Sequence, residues 1–160
     1  MSQEDLEKGE SIGVPIALLI LIVVLGALAI TAMQLVMAIV PIVVAIGISA
    51  LVGTFFELSL FVTNIITMIG LAVGIDYSLF VLSRYREERS LGLDRIDAVG
   101  RAGSTAGRAV GFSGMTVVLA LIGMLLIPFN IFISIGLGAI FVVLGAMAAA
   151  MTLLPSMLIL

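Results

Sequence analysis

Apolar stretches long enough to cross a lipid bilayer occupy most of this chain. Of its 160 residues, 62% are hydrophobic and only 11% are charged, which is more apolar surface than a soluble domain of this length can bury. A helix of about 20 apolar residues crosses the hydrocarbon layer of a membrane. The sequence therefore predicts an all-α, polytopic membrane protein whose residues 11–160 form a five-helix transmembrane bundle. The five predicted segments are Ser11–Met33, Leu35–Gly53, Leu58–Ser83, Ala109–Ile127 and Ile131–Leu158.

The residue types on which many soluble enzymes depend are absent. The sequence has no cysteine and no histidine, which excludes disulfides, thiolate zinc sites and the usual proton carrier at neutral pH. Gly136 and Gly138 lack the third glycine and the preceding strand of a dinucleotide-binding loop, and no nucleophile has a base beside it. We therefore expect no enzymatic activity, no metal and no cofactor. Any proton transfer must depend on carboxylates or tyrosines.

Basic residues cluster between the third and fourth segments and predict the orientation in the membrane. Six of the seven lysines and arginines lie there, and short loops rich in these residues stay in the cytoplasm. We expect a multi-pass protein of the cell membrane with a cytoplasmic loop at 84–108 and a cytoplasmic C-terminus. The acidic residues 1–10 are expected to be an extracytoplasmic tail, the end of a missing domain. The turn Thr31–Gln34 is then inside, and the turns Thr54–Ser59 and Ile127–Asn130 are outside.

The basic loop is predicted to contain a short interfacial helix. Asp94 is a suitable N-cap with Asp97 three residues later, and apolar residues follow at helical spacing. We expect the arginines of the loop to contact solvent and lipid headgroups, and we expect no nucleic-acid partner. These arginines are Arg84, Arg86, Arg89, Arg95, Arg101 and Arg108.

A lone carboxylate, Asp76, lies within the third segment. An ionised side chain at membrane depth costs about 2.5–3.5 kcal/mol on insertion scales, so such residues are usually functional. The five segments contain no lysine or arginine that would pair with it, and hydrocarbon surroundings without a cation favour the protonated form of an acid. Asp76 is therefore either a carrier of protons or ions, which we favour, or a hydrogen-bonding contact between helices.

Helical geometry places Asp76 away from the predicted packing surface of its own helix. At 100° per residue, Gly70 and Gly74 share one face, and their small size allows a neighbouring helix to approach closely. Asp76 points roughly to the opposite side, so a second neighbour must bring polar atoms to it. The candidate polar neighbours are Tyr77, Ser113 and Thr116. Further small residues predicted to pack helices are Gly107 and Gly111, with Gly114 and Gly123 beyond them.

Two motifs resemble the MMPL family of the RND transporter superfamily. The run from Gly74 to Glu88, which reads GIDYSLFVLSRYREE, resembles the fourth transmembrane helix of that family. The run from Thr105 to Thr116, which reads TAGRAVGFSGMT, is similar to the start of its fifth helix. The predicted topology matches helices two to six. The resemblance covers essentially the whole chain and implies half of the membrane domain of such a transporter.

The resemblance implies an exporter of lipids or other hydrophobic molecules that is driven by the proton-motive force. Asp76 and Tyr77 match the Asp-Tyr pair that relays protons in the family, and Ser113 is a polar neighbour. The implied partners are membrane lipids, a hydrophobic substrate and protons. Family members have about twelve helices in two related halves and two extracytoplasmic domains. We therefore also expect a missing second half of the transporter, or a second subunit, as a partner.

The same five-helix block also resembles the sterol-sensing domain of eukaryotic members of the superfamily. On that alternative the chain is a lipid-binding regulatory membrane module without transport activity. A proton relay requires that Asp76 titrates and that a polar partner faces it. A lipid-binding module requires a persistent apolar groove and tolerates Asp76→Asn.

Overall fold

The structure, a computed structural model, describes residues 31–159, and all its regular elements in that range are helices. Four helical stretches there are long and apolar enough to cross a membrane. This agrees with the predicted all-α membrane bundle but not with the predicted number of five spans. The stretches are α1 (Thr31–Gly53), α2 (Phe61–Ser90), a composite of α3 (Arg95–Ala102), a π-helical turn (Gly103–Gly107) and α4 (Arg108–Leu125), and α5 (Asn130–Ile159).

The difference in number arises at the beginning of the chain. The first predicted segment, Ser11–Met33, lies outside the described residues except for its last three, and the predicted tail at 1–10 also lies outside them. The prediction of a turn at Thr31–Gln34 was wrong, because these four residues are helical and begin α1. They include neither glycine nor proline, and alanine, methionine and glutamine are strong helix formers, so nothing in them interrupts a helix.

The predicted loop at 84–108 was also wrong in extent, since most of it is helical. Only residues 91–94 separate α2 from α3. α2 continues past its apolar part to Ser90, and a salt bridge of 2.7 Å between Arg84 and Glu88, one turn apart, supports this extension.

A glycine ends α2, and the short helix predicted after Asp94 follows it as α3. Gly92 has a φ of 86°, the left-handed conformation that commonly terminates helices. Asp94 occupies the N-cap position of α3 in an extended conformation, and Asp97 lies in its first turn.

A π-helical turn joins α3 to α4 without interrupting the helical stretch. Buried residues recur at every fourth position across it, and such a spacing drifts around a straight α-helix of 3.6 residues per turn. The π turn, which has more residues per turn, absorbs part of this drift. As a result α3, the π turn and α4 all contact α5. The buried residues in this row are Ala102, Ala106, Val110, Gly114 and Val118.

The core forms where α1, α2 and α5 meet. Ala45 of α1, Ile66 of α2 and Val142 of α5 are completely buried and belong to one apolar cluster. Near the turn between α1 and α2, the Ser134 hydroxyl of α5 accepts a hydrogen bond of 2.9 Å from the backbone N–H of Ser59. This bond fastens the turn to the beginning of α5.

Gly74 allows α2 to approach the main chain of α1. A Cβ atom at this position would lie 2.7 Å from the Cα of Ala38 and 2.9 Å from the carbonyl oxygen of Met37, which are distances that real side chains do not tolerate. Gly70, one turn earlier, lies directly against the side chains of Ile42 and Val142. One side of α2 is therefore closed by α1 and α5.

Candidate functional site

Asp76 lies on an open cleft between α2 and α4. The cleft has a volume of about 330 Å³, and Asp76 is exposed in it. Helices α2 and α4 both pack against α5, and the cleft lies between them. Its lining residues are Asp76, Tyr77, Phe80, Ala109, Val110 and Ser113.

The position of Asp76 follows from the way α2 packs. Gly70, Gly74 and Ser78 recur at every fourth position and are all buried. The hydroxyl of Ser78 donates a hydrogen bond of 2.8 Å to the carbonyl oxygen of Ile75, so this polar group is satisfied within its own helix. Asp76 is two residues from both Gly74 and Ser78 and therefore points away from the packed face.

Tyr77 extends from α2 across to α4. Its hydroxyl oxygen lies 3.1 Å from the point where a Cβ of Gly114 would stand, and the side chain of Met147 from α5 lies closer still to that point. Gly114 therefore provides the space in which the tyrosine hydroxyl meets α4. The sequence indicated Gly114 only as one small residue among several. The feature of the sequence that points to Gly114 is its position directly after Ser113, which lines the cleft.

The two hydroxyl residues proposed as neighbours of Asp76 have different surroundings. Ser113 lines the cleft together with Asp76 and Tyr77. Thr116 is not among the lining residues, and its hydroxyl donates a hydrogen bond of 2.9 Å to the carbonyl oxygen of Phe112. Within residues 31–159, no hydrogen bond or salt bridge joins the carboxylate of Asp76 to another side chain.

Gly107 and Gly111, which the sequence analysis also predicted to pack helices, have looser surroundings. A Cβ at Gly111 would lie 3.0 Å from the terminal methyl group of Met151, whereas a Cβ at Gly107 would meet no atom within 4 Å. Gly107 belongs to the π turn, and its small size does not serve a close contact between helices at this position.

An ion pair between a partly exposed arginine and a buried glutamate, near the end of α2, was not indicated by the sequence. Arg84 binds both Glu87 and Glu88 at 2.7 Å, and the Glu88 side chain is only 2% exposed whereas that of Glu87 is 58% exposed. In the described part of the chain, the Oε2 atom of Glu88 has no hydrogen-bond partner. Adjacent glutamates after an apolar segment read as a solvated face, and the sequence alone does not distinguish the buried Glu88 from the exposed Glu87.

No cluster of acidic side chains among residues 31–159 is arranged to hold a metal ion. The chemistry available in the cleft is therefore that of one carboxylate, one phenol and one hydroxyl, which accept, donate and hold protons. Asp76 is the single ionisable carboxylate among the lining residues.

Comparison with known proteins finds relatives along almost the entire chain. The mycolic acid-containing lipids exporter MmpL11 of Mycolicibacterium smegmatis is 40% identical over 98% of this chain. The heme uptake protein MmpL11 of Mycobacterium tuberculosis is also 40% identical over 98% of it. The trehalose monomycolate exporter MmpL3 of M. smegmatis is 34% identical over 97%.

This chain corresponds to only part of each relative. It covers 16% of the length of each MmpL11 protein and 15% of MmpL3. The MMPL family model, by contrast, matches residues 1–160. With helices of membrane-spanning length, and with relatives of this identity along nearly its full extent, the chain belongs to the MMPL family.

Proposed function

We propose that this chain is part of an MMPL-type exporter of lipids or other hydrophobic molecules and that it contributes one half of the proton relay of the membrane domain. Asp76 carries the proton, and Tyr77 shapes the hydrogen bonding around it. The observation that carries the proposal is the open cleft at Asp76, on the side of α2 away from α1.

The geometry of the cleft supports a carrier role over a structural one. A carboxylic acid that holds helices together is bonded to a neighbouring helix. The carboxylate of Asp76 has no such bond to the described residues and lies where water or a further helix has access. An acid in these surroundings takes up and releases a proton as its hydration changes between conformations.

We propose that the rest of the transporter binds at the open side of the cleft. A second half, or a second subunit, that covers the cleft would bring its own polar pair opposite Asp76 and Tyr77. The residues around 84–108 then face the cytoplasm, and the turn 54–60 faces outward, in keeping with the excess of arginine near the former.

The class of substrate is inferred from the relatives. Of those named above, one is an exporter of mycolic acid-containing lipids, one is an exporter of trehalose monomycolate, and one is a heme uptake protein. All of these cargoes are hydrophobic or amphiphilic. We assign the present transporter to lipid export on the basis of the two exporters.

The test is transport by the complete transporter in proteoliposomes under an imposed pH gradient. A pH-sensitive dye would report proton flux, and a fluorescent long-chain lipid would report export. Asp76→Asn preserves the shape of the side chain but does not cycle a proton, so both signals should fall to the level of empty liposomes. Glu57→Gln neutralises an exposed carboxylate in the turn outside the cleft and should leave both signals unchanged.

Two outcomes would contradict the proposal. Undiminished proton flux in the Asp76→Asn variant would make Asp76 a structural residue. Undiminished lipid binding with no transport by the unaltered protein would favour the regulatory, sterol-sensing-like module.

A further inference from the structure

The face of α2 that carries Asp76 continues, uncovered, to the end of the helix at residues 91–94. At 100° per residue, three later side chains lie within about 40° of the direction of Asp76 and follow it at intervals of three or four residues. All of these side chains are exposed. They form an inner row that leads from the cleft along the open surface of α2, and it consists of Asp76, Phe80, Ser83 and Glu87.

Glu87 is the second acid of the inner row. Its carboxylate binds the guanidinium group of Arg84 at 2.7 Å, and its side chain is 58% exposed. The neighbouring Glu88 binds the same arginine at the same distance, but it is only 2% exposed. Carboxylates accept and release protons, and of these two only Glu87 is in contact with solvent.

No other element brings a charged partner to Glu87. Helices α1 and α5 and the π turn carry no charged side chain in the part of the chain that the structure describes. In residues 31–159, the salt bridges of Glu87 join it to Arg84 alone. The charged residues of 91–94, α3 and α4 are Asp94, Arg95, Asp97, Arg101 and Arg108.

The length of α2 places the two acids of the inner row in different surroundings. Its 30 residues span about 45 Å, more than the roughly 30 Å of the hydrocarbon layer. Counted from Phe61, about 20 residues cross this layer, which then ends near Val81. Asp76 therefore lies within the layer, and Glu87 lies beyond it, at the end that is cytoplasmic in the proposed orientation.

A proton that moves between the two acids needs water. Glu87 follows Asp76 by 11 residues, which is about 16 Å along the helix axis. Oxygen atoms joined by hydrogen bonds are about 2.8 Å apart, so about five water molecules would bridge the gap. The hydroxyl of Ser83 both donates and accepts hydrogen bonds, and it lies about 6 Å along the axis from Glu87.

We propose that Glu87 is the group that passes the proton of the relay to the cytoplasm, an inference that rests on the function proposed above for Asp76. Protonated Asp76 gives its proton to the first water of the chain, and the last water gives a proton to the carboxylate of Glu87. Asp76 is then a carboxylate and Glu87 an acid, which loses its proton to cytoplasmic water. The half of the transporter that covers the cleft also covers the inner row and holds these waters.

The experiment measures export of a fluorescent long-chain lipid by the complete transporter in proteoliposomes with an acidic exterior. The interior, which is the cytoplasmic side for the transporters driven by this gradient, contains a low or a high concentration of the impermeant buffer MES. At low MES, Glu87→Gln should lower the initial rate about 100-fold, the lower end of the usual contribution of a positioned proton-transferring side chain. High MES should restore most of the rate, because a dissolved proton acceptor replaces the missing carboxylate.

Three further variants complete the experiment. Asp97→Asn removes an exposed carboxylate at the same end of the bundle but outside the inner row, and it should export at the rate of the unaltered protein at both MES concentrations. Glu87→Asp keeps a carboxylate and should retain more of the rate than Glu87→Gln. Asp76→Asn should stay inactive at both concentrations, because added buffer does not replace a carrier inside the membrane.

Three results would overturn the role of Glu87 alone. An undiminished rate of Glu87→Gln at low MES would mean that protons leave by another route. A loss that high MES does not relieve would make Glu87 a structural residue, and an equal loss in Asp97→Asn would indicate a general effect of surface charge. Undiminished export by Asp76→Asn would instead refute the proposed relay itself, and the role of Glu87 with it.

Discussion

At the scale of single residues, neighbouring positions of α2 have opposite surroundings. Gly74 is pressed against the main chain of α1, while Asp76, two residues later, is exposed in a cleft. Tyr77 lies between these two extremes and crosses to α4. The chemistry of the Asp-Tyr pair therefore depends on a helix that is fixed on one side and open on the other.

Tyr77→Phe should reduce proton-coupled transport less than Asp76→Asn, because it removes a hydroxyl group that is available for hydrogen bonding rather than the proposed proton carrier. We expect a loss of about 5- to 30-fold, which corresponds to about 1–2 kcal/mol for one hydrogen bond to a charged or protonated group. Initial rates of proton flux in proteoliposomes measure this. A loss as complete as that of Asp76→Asn would mean that the tyrosine itself transfers the proton.

Arg84→Ala should destabilise the protein, since it leaves the buried carboxylate of Glu88 without its cation. Loss of the partner of a buried charged acceptor costs at least about 1–3 kcal/mol. Unfolding by sodium dodecyl sulfate in mixed micelles measures the change. Arg86→Ala, at an exposed position, is the control and should have little effect. Addition of Glu88→Gln to Arg84→Ala should recover part of the loss, and a failure to do so would locate the effect in the packing of the arginine stem.

At the scale of helices, the glycines differ in what their missing side chain permits. Gly70 and Gly74 bring α1 and α5 onto α2, and Gly114 accommodates Tyr77 and Met147. Gly123 and Gly107 have open space around them. All of these glycines follow the same pattern of small residues in the sequence. Only the contacts in the structure show which of them bring helices together.

Substitution by alanine should therefore have opposite effects at two of these glycines. Gly74→Ala places a methyl group against the main chain of α1 and should lower the free energy of unfolding by about 1–3 kcal/mol. Gly123→Ala meets no neighbour within 4 Å and should be neutral, or stabilising by up to about 1 kcal/mol through helix propensity. Unfolding in mixed micelles measures both. Equal values for the two variants would refute the close approach of α1 and α2.

Much of the helical architecture was predictable from hydropathy, and the errors occurred where polar residues continue a helix. The ends of α4 and α5 lie within one or two residues of the predicted ones, because the two apolar segments are separated by the turn with Pro128. The end of α2 was predicted too early, at Ser83. The charged residues that follow Ser83 end the apolar segment, but the helix itself continues to Ser90. The burial of Glu88 next to the exposed Glu87 depends on tertiary packing, which the local sequence pattern does not encode.

At the scale of the whole molecule, the four helical stretches within residues 31–159 connect two opposite ends of a bundle. One end carries the turn 54–60, where Ser59 is bonded to Ser134, and the other carries residues 91–94 and α3. In the proposed orientation the latter end is cytoplasmic.

Single cysteines should reveal this arrangement, since the sequence contains no cysteine of its own. Thr54→Cys and Ser90→Cys introduce exposed thiols at the two ends. In intact cells, a membrane-impermeant maleimide should label position 54 readily and position 90 only after the membrane is permeabilised. Labelling of both positions in intact cells would refute the topology, and the reverse pattern would invert it.

The π-helical turn at Gly103–Gly107 makes the orientation of α3 relative to α4 sensitive to the number of residues in the turn. Removal of one residue from this turn would allow ordinary α-helical hydrogen bonding, but it would rotate α3 by about 100° relative to α4. Asp97 and Arg101 would then be carried around the helix axis, while Ser113 would remain beside Asp76. The turn thus sets the angular phase between the two ends of one continuous helix, and a deletion there would turn the buried face of α3 away from α5 without altering a residue of the cleft at Asp76.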